Sequence, residues 1–196
     1  MKSLARIISF ITNPIFILFP IPYLLIFRFG YGHVLAIKWT LFSLIFLFLA
    51  GIFVIYEVKN KVFSDMDVSK REQRPLLFAV TTGITVIYML SLSYFKAPFI
   101  LFITVWGIML GIVLATLINT RIKASLHVCS ITAVCLTIVR LYYLSPLLLL
   151  IIPIVAWSRI KIKRHSVPEV IAGFILGVIL TLFMYILLKY TKLLPI

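Results

Sequence analysis

The sequence predicts an all-α, polytopic transmembrane bundle, and three observations carry that expectation. Hydrophobic residues fill 63% of the 196 positions and charged residues only 12%, where a soluble domain is nearer half and a quarter. Mean hydropathy is +1.20. The apolar residues also gather into seven runs, near 8–28, 36–56, 76–95, 98–118, 126–141, 143–158 and 168–188. A helix needs about 20 residues to cross the hydrocarbon core, and five of the runs meet that length. Lipid offers no partner to a bare backbone, so spans of this kind are helices.

Taken in order, the run at 8–28 follows Lys2 and Arg6 and lacks a small-residue cleavage site, so it reads as a first span rather than a leader. The runs at 36–56, 76–95 and 98–118 are long enough to cross alone. The last of these carries Gly107, Gly111 and Ala115, a spacing that lets helices pack closely within a bundle or, less often, along a dimer seam. The runs at 126–141 and 143–158 are short, and a tight hairpin around 142–146 is expected, with Pro153 bending the return helix. The final run repeats the small-residue spacing at Gly173 and Gly177. The expectation is a single membrane domain, 1–196, of six to seven spans. Cys129 and Cys135 lie six apart on one helix, on different turns, so they read as packing residues that cannot bond to each other.

Nineteen Lys and Arg against five Asp and Glu give a net charge of +14. These cations lie mainly in short stretches between apolar runs, and no nucleic-acid module accompanies them. Nucleic acid is therefore not expected as a partner; lipid headgroups or a bound anion are. The oligomeric state is not legible. Three polar connections remain, near 57–75, 119–125 and 159–167. Two runs separate each from the next, and an even number of crossings returns the chain to the same side. All three connections are thus expected on one membrane face.

Those connections hold most of the reactive side chains. Two of the three histidines, His127 and His165, fall there among arginines and two helix starts, with Ser125 and Ser166 at the positions of N-caps. Guanidinium forks match phosphate oxygens, and helix N-termini add N–H donors and partial positive charge. The combination reads as a phosphate site. Plainer readings stand beside it. Basic residues at helix ends snorkel to headgroups, Ser125 suits a simple cap, and Ser166-Val167-Pro168-Glu169 is a capping box that gives Glu169 a structural role. His33 lies apart, on the other face, and reads as structural.

The joint spacing is more specific. Ser158-Arg159, five residues, His165, three residues and Glu169 resembles the third signature of the type 2 phosphatidic acid phosphatase superfamily, Ser-Arg-x5-His-x3-Asp. Ser125-x-His127 resembles the second, Pro-Ser-Gly-His, and Arg74-Pro75 the end of the first, Lys-x6-Arg-Pro. The motif region covers 57–169. The chain departs from the pattern at Asp67, where the family has lysine, at Ala124 and Leu126, where it has proline and glycine, and at Glu169, where it has aspartate. Lys70 or Arg71 is then the substitute cation.

The resemblance implies an integral protein of a bacterial cytoplasmic membrane that hydrolyses a lipid phosphomonoester or pyrophosphate. Phosphatidic acid, phosphatidylglycerophosphate, polyprenyl pyrophosphate and lipid A belong to the implied class. It implies His165 as nucleophile, Glu169 as the group orienting it and His127 as acid and base. Arg74, Arg159, Ser125 and one of Lys70 or Arg71 would hold the phosphate. No metal or other cofactor is expected, since Glu57, Asp65, Asp67 and Glu72 show no usual ligand spacing with the histidines. Thirteen cations fall on the motif face and six on the other, which favours a cytoplasmic site. Discounting seven phosphate binders or neighbours levels the tally, and the side stays open. Two rivals remain, a non-catalytic lipid-phosphate binder and a small transporter, the latter expected to carry ionisable residues deep in its spans.

Overall fold

The computed structural model describes residues 1–191, all of whose regular structure is helical. Lys192, one of the six cations on the second face, lies outside the described residues. Among the described residues, four helices are long and apolar enough to cross a membrane, or five if one bent pair counts as a single span. The contacts sort the chain into two compact units, one of 1–21 with 122–196 and the other of 22–121.

The first unit joins the two ends of the chain. Helices α1 (Lys2–Ile11) and α2 (Pro14–Leu18) come from the N-terminus. The apolar run at 8–28 reads as continuous in sequence, yet it breaks at Thr12 and Asn13 with a bend of 41°. The cause is local. Pro14 has no N–H to continue the helix, and Asn13 caps the restart by accepting from the Ile15 N–H at 3.0 Å. The remaining helices are α7 (Leu126–Tyr142), α8 (Ile151–Lys161) and α9 (Val167–Tyr190). Here α1 packs on α8, α2 on α7, and α7 on both α8 and α9. The expected turn after α7 is present: Tyr143 takes a left-handed φ of 52°, and a 3-10 segment, Pro146–Leu150, leads into α8. Pro153 sits in the first turn of α8, where a missing N–H costs little, rather than at a mid-helix kink. Val128, Ile131, Cys135, Ile152, Val155 and Val170 form the apolar centre. Cys129 and Cys135 are both buried free thiols, in keeping with a packing role.

The pairing of α7 with α9 decides the geometry of this unit. The Ser125 N–H donates to the Glu169 carbonyl at 2.9 Å. A β-carbon on Gly173 would collide with the Ser125 carbonyl, and one on Gly177 would lie 2.6 Å from the Cys129 carbonyl. Thr181 Oγ1 donates to the Ala133 carbonyl at 3.4 Å. These contacts advance together by one turn at a time, so the two helices run parallel and start side by side. The small residues at 173 and 177 are what allow the backbones to touch.

The second unit holds α3 (Ile21–Arg28), α4 (Gly32–Lys59), α5 (Arg74–Tyr94) and α6 (Phe99–Asn119), with α5 against both α4 and α6. Pro75 opens α5 and Pro98 caps α6, each where a helix tolerates proline. Ser43 and Tyr88 share a buried hydrogen bond of 2.6 Å between α4 and α5, which satisfies two hydroxyls that lipid would leave bare. Gly107 and Ala115 of α6 are buried, as close packing requires.

Outward faces are apolar in both units. Leu41, Ile45, Phe48 and Ile52 form one stripe of α4, and Ile171, Ile175, Leu182 and Ile186 one of α9; each is more than half exposed. Such stripes at helical spacing suit a lipid solvent and no aqueous one.

Candidate active site

Five of the expected site residues belong to the first unit. Ser125 is the N-cap of α7 by position, but its side chain makes no capping bond. Instead its backbone N–H is taken by Glu169, and its hydroxyl is fully buried with no hydrogen-bond partner among the described residues. A simple cap, one of the readings open in the sequence, is therefore not what Ser125 does. His127 follows in the first turn of α7 and is 5% exposed.

His165 lies between α8 and α9. Lys163, at a left-handed φ of 59°, turns the chain, and the Arg159 carbonyl accepts the N–H groups of Arg164 and His165 at 3.1 and 3.3 Å. The His165 imidazole is 8% exposed as a residue, and its Nδ1 lies 2.8 Å from Glu169 Oε2. The four-residue spacing predicts this meeting. Glu169 also caps its own helix, since Oε2 accepts the Ser166 N–H at 3.2 Å and the reciprocal box is present. Lys123 Nζ is 3.8 Å from the same oxygen. One carboxylate oxygen thus serves an imidazole, an amide and an ammonium.

Arg159 is 1% exposed and donates from Nη1 to Ser9 Oγ of α1. An arginine taken this far from water demands strong compensation, and it ties α1 to the end of α8. Spacing within the motifs gives no sign of Ser9. The available signal is a stripe of small and polar residues, Ala5, Ser9 and Thr12, all buried, while Leu4, Ile7 and Ile11 face outward. Lys123 reads in the sequence only as one more basic neighbour. Besides Glu169 it donates to the Arg164 carbonyl at 3.1 Å.

Lys70, Arg71 and Arg74 belong to the second unit, in the segment entering α5. Arg74 is 2% exposed and its Nε donates to the Val68 carbonyl at 3.3 Å. Val68 is held at φ 46°, a conformation that β-branched residues rarely adopt. A local network imposes it: Asp65 Oδ1 accepts from the Asp67 N–H and from Ser69 Oγ, each at 2.9 Å. Arg71 Nη1 donates to the Arg121 carbonyl at 3.1 Å, and Asn119 returns a bond to the Arg71 carbonyl at 3.2 Å. Lys70 is exposed. His33 bonds Tyr23 at 2.7 Å and stacks on Phe27, which supports its structural reading.

Within the first unit, then, a buried hydroxyl, two buried imidazoles, a buried guanidinium and one carboxylate are carried by the starts of α7 and α9 and the end of α8. Glu169 is the sole acid of segments 1–21 and 122–196, against ten Lys and Arg. Among the described residues no group of three or more His, Cys, Asp or Glu could hold a metal ion. No family model, no curated protein and no solved structure matches this chain.

Proposed function

We propose that this chain is a membrane-embedded lipid phosphatase that works through a phosphohistidine at His165, in a bundle of six to seven spans with its three motif connections on one face. The observation that carries the reading is the 2.8 Å contact of buried His165 Nδ1 with Glu169 Oε2. Donation of Nδ1–H to the carboxylate puts the ring's lone pair on Nε2, as a nitrogen nucleophile needs.

The Nε2 lone pair attacks phosphorus, and the bond to the lipid oxygen breaks. His127 gives its proton to that departing oxygen. It then takes a proton from water, which attacks the phosphoenzyme; the phosphorus–nitrogen bond breaks, inorganic phosphate leaves and His165 is restored. Arg159 and the N–H groups at the start of α7 stabilise the charge on the phosphoryl oxygens. A lipid phosphate fits best, because the site residues flank helices whose other faces are apolar. The cytoplasmic membrane of a bacterium is the proposed setting.

Release of inorganic phosphate from a panel of lipid phosphates in detergent micelles tests this. Wild-type protein should turn over and be inhibited by vanadate, which mimics five-coordinate phosphorus. His165→Ala should abolish release while the protein stays folded; near-normal activity in that variant refutes the assignment.

A further inference from the structure

We propose that Lys123 is a positioning residue that acts on His165 through Glu169. The proposal rests on the reading of His165 as nucleophile. The family pattern has aspartate where this chain has Glu169, and glutamate carries one more rotatable bond. Holding that longer arm still costs side-chain entropy, so a carboxylate that must present one oxygen to an imidazole needs other partners to fix it.

Three donors meet on Glu169 Oε2, two from the adjacent residues His165 and Ser166 and one, Lys123, from the connection before α7. His165 Nδ1 lies at 2.8 Å and the Ser166 N–H at 3.2 Å. Lys123 Nζ lies at 3.8 Å, with both side chains of that pair largely shielded, at 16% and 20% exposure. Lys123 does not merely approach the carboxylate. Its ammonium also donates to the carbonyl of Arg164, the residue before His165, at 3.1 Å. It therefore grips the His165 turn twice, once on the backbone and once on the side chain that holds the ring. Lys123 stands two residues before Ser125, whose own N–H donates to the Glu169 carbonyl at 2.9 Å. The connection before α7 is thus fastened to the start of α9 and the turn before it by two hydrogen bonds and one ion pair, and Lys123 supplies one hydrogen bond and the ion pair. An ammonium suits this double grip, since it offers three donors on a flexible stem.

The test compares Lys123→Met, Lys123→Arg, Glu169→Gln and the Lys123→Met/Glu169→Gln double variant, with a lipid monophosphate in mixed micelles as substrate. Lys123→Met should lower kcat about ten- to a hundredfold, the range typical of lost orienting contacts, with KM changed by no more than about twofold. Lys123→Arg should restore most of the rate. The double variant should be no slower than Glu169→Gln alone, because one path carries both effects. A raised KM at unchanged kcat would instead make Lys123 a direct phosphate ligand and overturn the proposal, as would losses that multiply in the double variant. A second readout needs no turnover: the downfield proton resonance of His165 Nδ1–H, assigned by its loss in His165→Ala. It should broaden in Lys123→Met and persist in Lys123→Arg. A wild-type protein that releases no phosphate sinks the phosphatase reading alone, whereas a resonance absent from wild type or unaltered in Lys123→Met sinks the positioning role.

Discussion

Glu169 takes part in several interactions at the start of α9, and their overlap makes its charge separable from its shape. Glutamine in its place keeps an oxygen that can accept from Ser166 and from His165, and loses only the charge that draws the imidazole and Lys123. Glu169→Gln should therefore lower turnover more than tenfold. Its thermal midpoint should fall by only a few degrees, since helix caps contribute about 1 kcal/mol. Phosphate release and thermal unfolding on one detergent preparation check both; a large fall in midpoint with normal turnover of the folded fraction would leave Glu169 a cap alone. The capping box and the His165–Glu169 pair are legible in the sequence because they lie within one helical turn of it. Lys123 and Ser9 are not, because their partners Arg164 and Arg159 lie 41 and 150 residues away. Only tertiary packing brings such residues together.

Among elements, the α7–α9 pair depends on having no side chain at two positions. Gly173→Ala or Gly177→Ala should force the helices apart and destabilise the protein by roughly 1–3 kcal/mol, the usual cost of overpacking. Gly83→Ala is the matched control: nothing lies within 4 Å of the added carbon, and alanine is the better helix former, so no loss is expected. Thermal unfolding in detergent reads all three, and equal losses would show that the close contact carries no special weight. The spacing of Gly173 and Gly177 announces a tight contact but cannot name α7 as the partner. Hydropathy misleads at 8–28 for a related reason. It sums apolar character, whereas Pro14 acts by removing a backbone donor, so one apolar run becomes separate helices.

In the whole molecule, both ends of the chain build one unit and the middle builds the other. Apolar excess announces the lipid-facing class, but nothing local announces that α1 returns to pack beside α8. The unit made from the two ends carries ten cations to one acid, so oxyanions should stabilise it. Orthovanadate at a hundred times its dissociation constant should add about 2.7 kcal/mol by mass action, read as a rise in melting midpoint absent from His165→Ala. A midpoint indifferent to vanadate would mean that the cations are fully satisfied within the fold. The parallel course of α7 and α9 bears on this directly. Antiparallel neighbours cancel their macrodipoles; two that start together add them. In a poorly polarisable surrounding such like ends repel with little screening, and the carboxylate of Glu169 in the first turn of α9 offsets that repulsion. If the proposed site holds, a dianion seated at the head of the pair would meet the positive ends of two helices at once.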